Sequence, residues 1–497
     1  MGLPVFDTLV FLFYMLGIIG FGISFYFKKR GSTEYITGGG RLPTWALGMS
    51  IFATYVSSIS FLALPGSAYQ SNWNGFVFSL SIPLAAWIAV TFFVPLYRKI
   101  QSPSAYAYLE NRFGLWARVY ASVCYLLTQL ARMGAIMYLL ALPMHALFGW
   151  SIPSIIIFTG LAVTLYAVMG GIEAVVWTDA VQGLLLIVGA VGCLLWIVSQ
   201  MPQGVGQLIE IGKAEQKFSL GSMGLDFGNN TFWVILIYGF FINLQNFGVD
   251  QSYIQRYLGA TTDREAKKST WLGSILYVPV SMLFFMIGTA LYGYFKVYDN
   301  LLSEELLLIE NADQVFPFFI VNSLPSGITG LMIAAIFAAG MSTMSTSINS
   351  SATVILEDHV KKYFKLNIDE KASMRVLYLS SISVGLVSIL VALAFNGVSS
   401  ALEAWWALAS IFSGGILGLF LLGVMTQVQS KIAPIAGVVV GLALIGWISL
   451  DGLILFLPTL GLHKNLAIVL GTMAIFILGF SIGLLSKKPL DSQETYQ

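Results

Sequence analysis

Ser50-Ile51-Phe52-Ala53-Thr54-Tyr55-Val56-Ser57-Ser58-Ile59-Ser60-Phe61, with Pro65-Gly66 close behind, is an apolar run whose middle is crowded with hydroxyls. Further along, Phe241-Ile242-Asn243-Leu244-Gln245-Asn246-Phe247-Gly248 places three amides and a glycine at the centre of another apolar run. Such groups are expensive in lipid, where each needs an internal partner. Alone, either segment reads more readily as polar glue between packed helices. Here they sit five spans apart, in matching positions of two five-helix halves. That placement points to inverted repeats with interrupted helices, with substrate and ions bound where the interruptions meet.

Composition supports a membrane setting. Of 497 residues, 57% are hydrophobic and only 10% charged, against about 25% charged in soluble domains, and mean hydropathy is +0.82. Apolar runs long enough to span a bilayer lie near 5–27, 44–69, 75–97, 117–148, 152–170, 177–200, 231–249, 270–295, 315–347, 374–396, 402–427, 433–457 and 465–486. These predict an all-α polytopic protein of about 13 transmembrane helices forming one transporter domain over 1–497. It divides into an extra N-terminal helix at 5–27, a first repeat at 44–200, a second at 231–427, two extra helices within 433–486, and a tail at 487–497. The longest polar connections are near 201–230 and 355–373.

With the N-terminus outside, only Lys213, Lys217, Lys296 and Lys464 of the 25 Lys and Arg lie outside. Arg132 is left in the membrane, and the other twenty face the cytoplasm. This bias predicts an outside N-terminus and a cytoplasmic C-terminus. The start has no basic n-region, and its apolar run leads into Lys28-Lys29-Arg30, a stop-transfer pattern and not a cleaved signal. A net charge of +1 suggests no nucleic-acid partner. Cys124 and Cys193 lie in apolar spans, and His145, His359 and His463 are scattered, so neither a disulfide framework nor a metal cluster is expected. Gly38-Gly39-Gly40 lacks the Lys-Ser/Thr of a phosphate loop and reads as a turn.

Three features carry chemistry. Arg132 sits in Leu126-Leu127-Thr128-Gln129-Leu130-Ala131-Arg132-Met133-Gly134-Ala135-Ile136, where a permanent cation costs roughly 2.5 to 3.5 kcal/mol unless an acceptor is supplied. The acceptor is either internal or an anionic ligand. In the ninth span, Ser342, Ser345 and Thr346 share a helical face, with Ala339 a turn earlier. Hydroxyls and nearby carbonyls offer hard oxygens without fixed charge, which suit a monovalent cation better than Ca²⁺ or Mg²⁺. Close packing of small residues is the plainer reading of that face. Asp179 lies just inside the sixth span, as an ion-pathway acid or as the partner of a helix end or a cytoplasmic base.

Tyr35-Ile36-Thr37-Gly38-Gly39-Gly40-Arg41 with Trp45, Ser57-Ser58-Ile59-Ser60-Phe61, and Pro65-Gly66-Ser67-Ala68-Tyr69 resemble the sodium:solute symporter family. So do Gly170 to Asp179, Asp250-Gln251 with Ile254-Gln255-Arg256-Tyr257, and the Ser/Thr-rich ninth span. The resemblance implies the LeuT-type fold, two inverted five-helix repeats, with one helix before and two after. Gln129 to Ile136 most resembles the segment of bacterial sialic acid symporters whose arginine grips the sugar's carboxylate. It implies a substrate site of Arg132, Ser57 and Ser60, a main Na⁺ site of Ala53, Val56, Ala339, Ser342 and Thr343, and a second Na⁺ site of Asp179, Ser342, Ser345 and Thr346. Ser79 stands where such symporters carry a glutamine; Phe78 and Asn243 or Gln245 would complete the pocket.

The expected function is Na⁺-coupled uptake of sialic acid by alternating access across the bacterial inner membrane. Two Na⁺ would accompany each substrate, with no enzymatic step, no nucleic acid and no obligate protein partner. Another organic monoanion (a sugar acid, a short carboxylate, pantothenate) is the alternative. A proton-coupled carrier is disfavoured because Asp179 alone offers a relay. An enzyme or sensor is disfavoured for want of a nucleophile–base pair or appended domain, and a channel by interruptions at mid-depth in matching spans.

Overall fold

The computed structural model describes residues 4–27, 31–100, 102–301, 312–396, 401–428, 430–450 and 458–485. Among them the regular structure is helical, apart from an isolated bridge between Leu42 and Ala260. In chain order the long elements are α1 Val5–Ser24, α2 Thr44–Tyr55, α3 Ser58–Gln70, α4 Trp73–Ile100, α5 Leu115–Phe148, α6 Ile152–Gln200, α7 Phe232–Val249 and α8 Gln251–Leu258. They continue as α9 Asp263–Val297, α10 Ala312–Ser323, α11 Ile328–Val354, α12 Glu370–Ala394, α13 Ala401–Met425, α14 Ile432–Ser449 and α15 Leu466–Leu485.

Among the described residues, eleven helices are long and apolar enough to cross a membrane, and the α2–α3 pair, bent by 55°, makes a twelfth. The thirteenth is hidden in α6. Its 49 residues would run about 74 Å if straight, more than twice a hydrocarbon core of about 30 Å. At Gly171 the backbone takes φ 58° and ψ −164°. Only glycine adopts that conformation readily, and a Cβ there would meet the Tyr35 carbonyl at 2.8 Å. The two limbs are the predicted spans 152–170 and 177–200.

Two boundaries differ from the sequence reading. The span placed at 315–347 is two elements. Leu324-Pro325-Ser326-Gly327 ends α10, with Gly327 at φ 92°, and α11 starts only at Ile328. Asp7 of α1 fixes that start, because its carboxylate accepts the N–H groups of Gly327 (2.6 Å) and Gly330 (2.8 Å) at the helix N-terminus. At its other end α11 runs on as a π-helix to Tyr363, so the polar stretch near 355–373 is helical over its first half. Second, the interruption expected within 241–248 falls later. α7 is helical through all three amides and breaks at Asp250, whose backbone is extended at ψ 122°. Asn243 stays in the helix because its amide is satisfied, donating to Ser81 Oγ (2.9 Å) and the Phe78 carbonyl (3.3 Å).

α11 lies at the centre of the bundle, with nearly every residue buried between α5, α6, α1 and α12. A helix apolar or small on every side belongs in such a place. α9 packs along both α2 and α3 and bridges their break. Lys28 to Arg30, the tail 487–497 and part of the span at 433–457 lie outside the described residues.

Candidate functional site

The α2–α3 break follows from local chemistry. α2 ends at Tyr55; Val56 is extended at ψ 118°, and Ser57 caps α3 by accepting the Ser60 N–H at 3.4 Å. α8 begins in the same way, with Asp250 Oδ1 accepting the Ser252 N–H at 2.7 Å. A cavity of about 230 Å³ opens between the two breaks. Tyr55 and Ser60 line it from the first break and Asn246 and Tyr253 from the second, with Phe78 and Ser79 from α4, Tyr277 from α9 and Arg132 from α5.

Arg132 is half-buried. Its Nη2 donates to the Thr54 carbonyl at 3.3 Å, one of the acceptors left over in the last turn of α2. Among the described residues it has no ion pair, and it lines the cavity beside Tyr253. The site therefore offers an anion a planar donor fork close to the N-terminal end of α3.

The other predicted substrate residues divide. Ser60, Phe78 and Ser79 line the cavity, and Ser79 donates to Ser281 at 2.8 Å. Ser57 spends its hydroxyl on the cap. Asn243 is fully buried behind the wall, where it accepts the Tyr55 hydroxyl and holds that ring in place. Gln245 faces a second cavity of about 20 Å³ on the other side of α7; Asn246 takes its place in the main one.

The predicted ion ligands cluster on the face where α11 meets the end of α2. Thr343 Oγ1 lies 3.4 Å from the Val56 carbonyl and 3.3 Å from the Ala339 carbonyl. Neutral oxygens so gathered fit a cation that must be released again. Ala53 precedes Val56 by one turn on α2 and is buried. Ser342 turns its hydroxyl to Asp179 Oδ1 (2.8 Å), and Ser345 donates to the Ser342 carbonyl (3.0 Å). Thr346 lies 3.5 Å from Asp179 Oδ2. Asp179 and the three residues predicted around it thus meet at one place.

They meet around a residue that sequence reasoning assigned to the cytoplasmic basic set. Arg256 is fully buried, pairs with Asp179 Oδ2 at 3.0 Å, and donates to Thr346 (2.6 Å) and Ser50 (2.8 Å). Ser50 also donates to Asp179 Oδ2 at 2.6 Å. The acid therefore has the basic partner that was its alternative reading. Its Oδ1 side, with Ser342 and Ser345, is left for any cation. Tyr55, Asn246, Tyr253 and Tyr277 were also missed. Asn246 was visible in the amide run, whereas nothing marks three cavity tyrosines among 22 in the chain.

A match to the family description "Sodium:solute symporter family" extends over residues 35–441. The chain belongs to the sodium:solute symporter family. The sodium/sialic acid symporter NanT of Aliivibrio fischeri is 31% identical over 97% of this chain and 93% of its own length. The sodium/sialic acid symporter SiaT of Proteus mirabilis is 32% identical over 86% of each. A solved structure of a Na⁺-coupled sialic acid symporter, substrate-bound and outward-open with a novel Na⁺ site, superposes with TM-score 0.90 at 30% identity, covering 97% of this chain and 98% of that one. This symporter has the LeuT-type fold and is a multi-pass membrane protein.

Proposed function

We propose that this symporter imports sialic acid into the bacterial cytoplasm, coupled to Na⁺ entry, across the inner membrane. The observation that carries the proposal is Arg132: a guanidinium deep in the bundle, open to a cavity, with no ion pair among the described residues. An exposed fork in that setting calls for a planar anion. Support for the cargo comes from the sialic acid symporters to which the chain is similar.

In this scheme Na⁺ enters from outside and engages the carbonyls of Val56 and Ala339 and the Thr343 hydroxyl, together with Ala53 and Ser342. The ion draws the end of α2 onto α11 and so fixes the first break. The carboxylate of the cargo docks on Arg132, and the sugar hydroxyls meet Ser60, Ser79 and Asn246, with Phe78 as an apolar floor. Ser57 contributes through the cap, and Asn243 through Tyr55. Asp179 Oδ1, Ser342, Ser345 and Thr346 form a second Na⁺ site beside the fixed Arg256. With the site filled, one bundle rocks against the other and opens it toward the basic side, which is taken as cytoplasmic. The N-terminus is then outside and the C-terminus inside.

Radiolabelled sialic acid uptake into proteoliposomes, with and without a Na⁺ gradient, tests the proposal. Uptake is expected only with the gradient, and other monoanions should compete weakly. Stronger competition by a short carboxylate or a sugar acid would reassign the cargo. Stoichiometry is read electrically. Two Na⁺ with a monoanion carry one net positive charge, so an inside-negative potential contributes about 2.3 kcal/mol per 100 mV and should accelerate uptake. One Na⁺ would leave uptake insensitive to potential.

A further inference from the structure

Arg132 and Asp250 carry opposite charges, and neither has an ion-pair partner among the described residues. Asp250 is half-buried. It accepts the Ser252 N–H at 2.7 Å as the cap of α8, and Gln129 Nε2 donates to its Oδ2 at 3.4 Å. Capping does not call for a charge, since asparagine caps a helix as well as aspartate does. The carboxylate charge is therefore surplus to its structural task, in a place where surplus charge is costly.

Its position suggests a use. Asp250 lines the second, 20 Å³ cavity with Thr128, Gln245 and Tyr106, room for about one water molecule. Thr128 lies one turn before Arg132 on α5, Gln245 adjoins Asn246 on α7, and Asp250 precedes Tyr253 by three residues. Along α5 the small cavity therefore lies one turn from Arg132, on the basic side, and across α7 from the large one. Gln129, three residues before Arg132, already touches the carboxylate, and arginine is the longer side chain. A rotamer change of Arg132 spans one turn of about 5.4 Å. Arg132 acts on Asp250 electrostatically more than Arg256 does, and Arg256 is held by Asp179.

We propose that Asp250 is the resting partner of Arg132. When the cargo leaves toward the basic side, the guanidinium turns down onto the Asp250 carboxylate. The emptied carrier then recloses with both charges neutralised, and on the outer side Na⁺ and a new anion draw Arg132 back up. This rests on Arg132 holding the cargo's carboxylate. Asp250 acts through Arg132 and is a positioning residue for the return step.

Two assays on the full-length protein in proteoliposomes separate that step from the others. Exchange of labelled for unlabelled sialic acid, with Na⁺ on both sides, never requires the empty carrier to return; net uptake does. Asp250→Asn keeps the cap and removes the charge. Gln129→Lys gives Asp250 a permanent cation and pre-empts Arg132 by the opposite chemistry. Each is expected to slow net uptake about tenfold or more while exchange stays within about twofold. If either variant fails to fold, the other decides. Loss of both assays together, or of neither, overturns the proposal. Near-normal exchange in Arg132→Gln would instead sink the carboxylate reading beneath it, a separate failure seen in a separate variant.

Discussion

Two arginines lie deep in this bundle, and the protein treats them differently. Arg256 is sealed from solvent and tied to Asp179, Ser50, Thr346 and the Ser252 carbonyl. Arg132 borders a cavity and holds one helix-end carbonyl. Where burial is complete, the protein must supply the anion itself, because an unmatched charge there would unfold it. Where a cavity remains, water and cargo can share that task. One arginine is therefore part of the scaffold, joining α8 to α2, α6 and α11, and the other lines the cavity proposed as the site.

The largest effect should come from breaking the scaffold pair. Arg256→Gln leaves Asp179 buried and unmatched, at a cost of about 3–5 kcal/mol. It should lower the melting temperature of the purified protein sharply, and adding Asp179→Asn should recover most of the loss. If the single variant melts normally, the contrast between the two arginines disappears. Arg132→Lys should do the reverse, melting as the parent does while losing uptake roughly 30-fold, the equivalent of about 2 kcal/mol of bidentate contact. Thr343→Ala removes one hydroxyl from the proposed main ion site. The Na⁺ concentration for half-maximal uptake should rise about fivefold, for about 1 kcal/mol, with little change in sialic acid affinity at saturating Na⁺.

A third arginine gives the smallest effect. Arg118 bridges Asp358 (2.6 Å) and Glu110 (2.8 Å) at the basic edge, and Lys362 also reaches Glu110 (2.7 Å). Burial pushes the Glu110 carboxyl up, but the hydrogen bonds from Lys362 and Arg118 outweigh it and hold the group below its ordinary value. A lowered folded-state value means stability that is present above the unfolded value and lost as pH falls through the folded one. Glu110→Gln should therefore cost about 1 kcal/mol at neutral pH, and the difference should begin to fade as pH drops below roughly 4 and be gone below the lowered folded-state value.

Much of this could be seen in the residues themselves. Apolar length marked the spans, and hydroxyls at mid-depth marked the first break, because lipid gives such groups no other partner. Ser342, Ser345 and Thr346 announced a common face through helical spacing alone. The misplaced elements have local causes. Pro325-Ser326-Gly327 is a turn that an apolar window averages away. The second break fell at Asp250, not among the amides, because Asn243 found partners on α4 that no local pattern could reveal.

The sequence by itself determined the membrane setting, most of the spans, the first helix interruption and the presence of an arginine at mid-depth, since each follows from the price of polar groups in lipid. Tertiary structure alone decided which charge is matched and which is free. Arg256 reaches Asp179 across 77 positions of chain, Gln245 and Asn246 part to opposite cavities, and Tyr55 closes a wall on Asn243. The reason is geometric: pairing depends on distances between helices, and no local periodicity encodes those.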